Sequence, residues 1–178
     1  MSSADASFDD PNLSELFRRH VDAVWRTAVA MGLSREDAED VVQEVFMTVH
    51  DRLERYDAER SVRAWILGST RNVVRHHHRG THRRAARLRR VEPPRTPEQP
   101  EQTLARREAA EVVQAFVDQL DDKKRVVFVL GFVEGLSAKE IAETLGLKLP
   151  TVYARARAAE AELGKFVRRR SLPRRRTS

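Results

Sequence analysis

Between Leu13 and Val29 the apolar residues Leu13, Leu16, Phe17, Val21, Val24, Ala28 and Val29 recur every three or four positions. That spacing predicts an amphipathic helix. Met31-Gly32-Leu33 interrupts it, and Ser34 starts a second helix as N-cap, with Asp37 three residues on. This helix carries Ala38, Val41, Val42, Val45, Phe46, Val49 and Leu53 on one side. Asp37, Asp40, Gln43, Glu44 and Met47 lie on the other. A loop is expected around Arg55 to Ser61, then a third helix from about Val62 to His78 with Trp65, Ile66, Ser69 and Val73 facing inward.

The pattern stops at VEPPRTPEQPEQ (91–102), which holds four of the chain's seven prolines and almost nothing apolar. Such a stretch is an extended, solvated linker. Beyond it, Val112, Val113, Phe116, Val117 and Leu120 predict a helix from about Leu104 to Leu120. The following KKRVVFVLGFVEG is rich in β-branched residues, and propensity alone would allow a buried strand. Val126, Val127, Leu130 and Val133 keep helical spacing between helical neighbours, so it is read as helix. Ser137 and Glu140 form a capping box, Ile141, Ala142 and Leu145 a short apolar stripe, Gly146 a tight turn, and Pro150 the first turn of a last helix. That helix buries Val152, Ala156, Ala159 and Leu163. The pair is a helix-turn-helix, whose second helix fits a DNA major groove.

The expected fold is all-α: two small helical domains, 8–88 and 104–170, joined by a Pro-rich linker at 89–103 and followed by a basic tail at 171–178. The tail beyond Phe166 is expected to be disordered.

Composition narrows the partners. The 178 residues hold 33 Lys+Arg against 27 Asp+Glu, a net charge of +6, and no cysteine. Disulfides, thiolate metal sites and thiol nucleophiles are excluded. No apolar run reaches the roughly 20 residues that span a bilayer. The acidic N-terminus lacks the apolar core of a secretory signal, so a cytoplasmic location is expected. The charge is segregated: residues 36–59 hold nine acids and two arginines, whereas 71–90 hold eight arginines, four histidines and no acid. An acidic helix followed by a basic one suggests two partners of opposite character.

On the last helix the face opposite the buried stripe centres on Ala154, with Pro150, Arg157 and Ala158 beside it and Tyr153 and Arg155 on its flanks. Arg157 can reach a guanine edge or a phosphate, while Ala154 and Ala158 offer only apolar contact. Lys148, Thr151 and Arg155 suit phosphates, which fix register without reading sequence. Direct readout is therefore sparse, leaving part of any specificity to DNA shape.

From Phe8 to Val167 the layout resembles an extracytoplasmic-function (ECF) sigma factor of bacterial RNA polymerase. The resemblance rests on DAEDVVQEVF (37–46), RAWILGSTRNVVRHHHR (63–79), LDDKKRVVFVLGFVEGLSAKEIAETLG (120–146) and PTVYARARAAEAEL (150–163), in that order. It implies that Asp37, Asp40, Gln43, Glu44 and Met47 bind core RNA polymerase. It implies further that Tyr56, Arg63, Arg71, Asn72, Arg75 and Arg79 hold the −10 promoter element. The loop 56–61 would pocket a flipped base, with Tyr56 available to stack on it. Lys148, Thr151, Tyr153, Ala154, Arg155 and Arg157 would read the −35 element. An anti-sigma factor is a further partner of this class. The chain departs from the family in the Arg75–Arg79 run and at Tyr153, Ala154 and Ala158, which bears on the promoter sequence. Taken from Leu88 to Thr103, 16 residues at roughly 3.1 Å each reach about 50 Å, or about 15 base pairs.

Other chemistry is thin. His76, His77 and His78 point about 100° apart on a helix and cannot converge on one metal ion; they add pH-dependent charge beside DNA. No phosphate-binding glycine loop or Ser/His/Asp context occurs, and no acid sits in an evident apolar pocket, so no catalytic residue, metal or cofactor is assigned. The alternatives are a helix-turn-helix regulator acting without sigma activity, which leaves the acidic helix and the Tyr56–Arg79 region unexplained, and a helical interaction protein.

Overall fold

The structure is a computed structural model and describes residues 11–57, 61–85 and 104–171. The expected linker and the last residues of the tail lie outside them. Helices α1 (Pro11–Ala30), α2 (Arg35–Arg52) and α3 (Val62–Ala85) pack on one another as a first unit. Helices α4 (Leu104–Val117), α5 (Asp122–Phe128), α6 (Ala138–Leu145) and α7 (Leu149–Ser171) form a second. No strand occurs among the described residues.

The starts of the helices follow the sequence. The Ser34 hydroxyl accepts from the Asp37 N–H at 3.0 Å and donates to the Asp37 carboxylate at 2.7 Å. A cap of this kind is worth about 1 kcal/mol. The apolar stripe of α2, from Ala38 to Val49, is buried, and Phe17 of α1 meets Phe46 with ring centroids 4.7 Å apart. Trp65 is only half-buried and lies against Tyr56 at 4.8 Å rather than in the centre of the core. Helix α3 runs seven residues beyond its expected end at His78.

In the second unit Asp121 caps α5 by accepting from the N–H groups of Lys123 and Lys124, both at 3.0 Å. The β-branched run is helical, but α5 gives way to a π-helical turn over Val129–Val133. There the Glu134 N–H reaches back five residues to the Val129 carbonyl at 3.0 Å. Five consecutive residues are buried across the junction: Val126, Val127 and Phe128 at the end of α5 and Val129 and Leu130 at the start of the turn. Gly135 ends it at φ +71°, a conformation costly for any residue with a Cβ. Between α6 and α7 the Gly146 C-cap is left-handed at φ +63°, as its place in the helix-turn-helix requires.

Helix α7 corrects the expected tail. It continues to Ser171 because Phe166 is buried against Phe116, ring centroids 5.5 Å apart. Phe116 also meets Phe128 edge-on at 5.0 Å. Arg168, Arg169 and Arg170 fall in the last turn, where cations suit the negative end of the helix dipole. The two units are not separate bodies. A single cluster of buried apolar side chains runs through both; α3 packs on α6, and α1 on the π-helical turn.

Candidate protein and nucleic-acid interfaces

Helix α2 buries its apolar stripe inward, which leaves its acidic face outward. Asp40, Gln43 and Glu44 are exposed, and Met47 is 45% exposed beside them. Asp37 stands apart. It is half-buried, holds the Ser34 cap, and lies 3.5 Å from the His77 Nε2 on α3.

Helix α3 arranges its basic residues unevenly. Asn72, Arg75 and Arg79 are exposed, and Arg71 is half-buried and donates through Nη1 to the Asn72 side-chain Oδ1 at 3.2 Å. Burial, then the nearby charges of Arg75 and Arg155, lowers the Arg71 pKa from its ordinary value. Tyr56 is half-buried with one ring face against Trp65. Burial and then Asp57 raise its hydroxyl pKa. The histidines differ from expectation. His78 shares a hydrogen bond at 3.0 Å with the Met31 carbonyl and His77 faces Asp37, so both pin α3 to its own unit, while His76 is exposed.

Arg63 is occupied. Its Nη2 donates to the Glu134 Oε2 at 2.7 Å and to the Glu134 carbonyl oxygen at 3.0 Å. Arg26 of α1 donates to the same carboxylate through Nη2 at 3.2 Å and Nε at 3.3 Å. The Glu134 side chain has 0% exposure. Glu134 is thus a buried acid, but one set against two guanidinium groups and not in an apolar pocket. Its one trace in the sequence is a lone acid closing the run VVFVLGFV.

The helix-turn-helix is built as its residues require. The Ser137 hydroxyl accepts from the Glu140 N–H at 3.2 Å, and the Glu140 carboxylate accepts from the Ser137 N–H at 2.8 Å. The Ser137 hydroxyl also donates to that carboxylate at 2.7 Å, and this bond first, then the one from the Ser137 N–H, lowers the Glu140 pKa. On α7, Val152 and Ala159 are buried, so Ala154, Arg157 and Ala158 face outward with Lys148 exposed nearby. Tyr153 is 49% exposed and Thr151 half-buried. Arg155 is not brought together with Arg157. It is half-buried and lines a cleft between the two units with Arg71, Arg75 and Lys123.

Two known families match this chain in the order of its two units: Sigma-70 region 2 over residues 16–84 and Sigma-70 region 4 over 110–163. The RNA polymerase sigma factor CnrH of Cupriavidus metallidurans is 31% identical over 172 residues, which cover 89% of this chain and 87% of that protein. The ECF RNA polymerase sigma factor SigE of Mycolicibacterium smegmatis is 32% identical over 168 residues. The chain belongs to the ECF sigma factors. The SigE match covers 90% of this sigma factor and 63% of SigE. Among solved structures, that of CnrH in complex with the cytosolic domain of CnrY is similar, with a TM-score of 0.66 and 28% identity over 89% of each chain. The sigma factor RpoE of Bartonella quintana, in complex with the anti-sigma factor NepR, shares the fold with a TM-score of 0.74 at 18% identity, covering 88% of this chain and 97% of that one. In this sigma factor region 2 therefore takes in α2, α3 and most of α1, and region 4 takes in α5, α6 and most of α7. Among the described residues no helix is long and apolar enough to cross a membrane.

Proposed function

We propose that this alternative sigma factor loads onto core RNA polymerase through the outward face of α2, with Asp40, Gln43, Glu44 and Met47 as the contact and Asp37 as its support. The unit around α3 then captures the −10 element. Arg63, Arg71, Arg75 and Arg79 hold phosphates, Asn72 lies near the captured base, and Tyr56 stacks on it, a contact worth roughly 1–3 kcal/mol. Holding an unpaired base stabilises melted DNA, so binding energy opens the promoter and the chain carries out no bond-making step of its own. The outward face of α7 reads the −35 element, with Arg157 as the base-reading side chain and Lys148 and Thr151 on phosphates.

The division into domains at 8–88 and 104–170 belongs to the same reading and is supported by the Sigma-70 regions falling inside those bounds. An anti-sigma factor is a further partner, supported by the complexes of RpoE with NepR and of CnrH with CnrY. The protein acts in the cytoplasm, beside polymerase and chromosome.

The observation that carries this reading is the pairing, in one chain, of an exposed acidic helix face with an exposed helix-turn-helix reading face. The test mixes the purified chain with bacterial core polymerase and a melted-bubble template. Stable association and start-site-specific transcripts are expected. Tight DNA binding without core and without a transcript would instead support a regulator that lacks sigma activity.

A further inference from the structure

Between the two units lies a cleft of about 510 Å³ whose charge is left unbalanced. Its cations come from three helices: Arg71 and Arg75 from α3, Lys123 from α5 and Arg155 from α7. Arg71 and Arg75 stand one turn apart, on the same helix face. Among the described residues no acidic side chain pairs with any of the four. The acid on the wall, Asp122, lies 3.4 Å from Arg125, with its side chain 96% exposed. Arg125 is already engaged by the main chain, donating through Nε to Val117 at 3.1 Å and through Nη2 to Leu120 at 2.9 Å.

Like charges held this close raise one another's cost. Burial first, then Arg75 and Arg155, holds the Arg71 guanidinium below its ordinary pKa. An anion seated among the four removes the repulsion and gains charge-assisted hydrogen bonds.

The rest of the wall bears on which anion fits. Met31, Val74 and Val126 are buried and give the cleft an apolar surface. Its volume falls in the range of roughly 300–1,000 Å³ usual for small-molecule sites. A bare inorganic anion leaves the apolar surface unused. A nucleic-acid strand spaces its charges one per nucleotide. A chain of phosphates sets them on adjacent phosphorus atoms, the density that clustered cations from three helices match.

We propose that the cleft binds a nucleoside polyphosphate, with the phosphates on Arg71, Arg75, Lys123 and Arg155 and the base against Met31, Val74 and Val126. The site takes side chains from both units, so the ligand bridges them. Arg71 and Arg75 also belong to the −10 surface proposed above. The variants that test the site are therefore made at Lys123 and Arg155, which have no part in that surface.

The test titrates the full chain by calorimetry, in magnesium-free buffer, with ATP, GTP, tripolyphosphate and adenosine. Binding of a fluorescent 12-mer single strand is measured in parallel. At least one of the two nucleotides should bind one to one, about ten-fold more tightly than tripolyphosphate because its base is buried on the apolar wall. Adenosine, without phosphates, should give no measurable heat. Lys123→Ala and Arg155→Ala should each weaken the nucleotide about ten-fold, the usual effect of losing a hydrogen bond to a charged group. Lys165→Ala removes an exposed cation of α7 outside the cleft and should leave the affinity unchanged.

Circular dichroism checks that each variant is folded, and the comparison with tripolyphosphate needs no variant. Equal affinities for nucleotide and tripolyphosphate would overturn the base contact and with it the nucleoside. A loss in Lys165→Ala as large as in the cleft variants would show that net charge alone draws the ligand, and would overturn the site. Absence of binding by both nucleotides would overturn the proposal outright; a 12-mer weakened by Lys123→Ala and Arg155→Ala would then give the cleft to nucleic acid. None of these outcomes depends on whether the chain loads core polymerase.

Discussion

The Asp37 carboxylate on α2 sits 3.5 Å from the Nε2 of His77 on α3, while the same side chain holds the Ser34 cap at the start of its own helix. Asp37 therefore joins two helices, whereas Asp40 and Glu44, one and two turns on, face solvent. Asp37→Ala leaves the cap bond from the Asp37 N–H in place but removes the carboxylate that accepts from the Ser34 hydroxyl; it should lower stability by about 1 kcal/mol, the usual net worth of one hydrogen bond, and should weaken core binding only modestly. Charge reversal at Asp40 and Glu44 should do the opposite, abolishing core association with little change in melting temperature. Urea denaturation and co-purification with core polymerase separate the two effects. Normal loading of the reversed variant would remove this face from the polymerase contact.

His20 is buried in α1, and no hydrogen-bond partner reaches its Nδ1 among the described residues. Burial first, then the charges of Arg63 and Arg19, lowers its pKa from the ordinary value of 6.5. Folding thus favours the neutral ring. The stability tied to it is complete above pH 6.5 and is lost as pH falls through the window between 6.5 and the depressed folded value. Wild-type melting temperature should therefore drop more between pH 7.5 and 5.5 than that of His20→Leu. Parallel slopes for the two proteins would count against this account.

Phe116 meets both Phe128 and Phe166. Phe116→Ala should cost about 3–5 kcal/mol and, because Phe166 is then unsupported, should fray the last turns of α7. Hydrogen exchange would report faster exchange at Arg168 to Arg170 than at Val152 to Ala156. Uniform acceleration along α7 would show that Phe166 does not anchor its end.

What could be read from the sequence divides along the range of the interactions. The α2 stripe, the Ser34 cap, the Ser137–Glu140 box and the Gly146 turn are settled within a few residues of themselves, and they stand where the sequence pattern put them. The length of α7 was not legible, because it depends on Phe166 reaching Phe116. The π-helical turn was hidden too. Helical spacing at Val126, Val127 and Leu130 gives no sign that a later residue will bond five positions back. Glu134 was the hardest to see, since Arg26 lies 108 residues before it and Arg63 lies 71 before it. The sequence pattern put Arg155 on the flank of the reading face, but the packing of the two units turns it toward Arg71.

That turn sharpens the prediction for DNA reading by α7. Arg157 is exposed on the outward face, and Lys148 is exposed at the entrance to the helix. If Arg157 grips a base edge, Arg157→Ala should cost about 1–3 kcal/mol and relax preference at one position. Lys148→Ala should weaken binding evenly across sequences and reduce the slope of log affinity against log salt by about 1. The measurement is holoenzyme selection from a randomised −35 library, followed by titration of the selected duplex at several salt concentrations. An Arg157→Ala holoenzyme that selects an unaltered motif would move base reading to Tyr153 and to DNA shape, because Ala154 and Ala158 offer no polar group for the purpose.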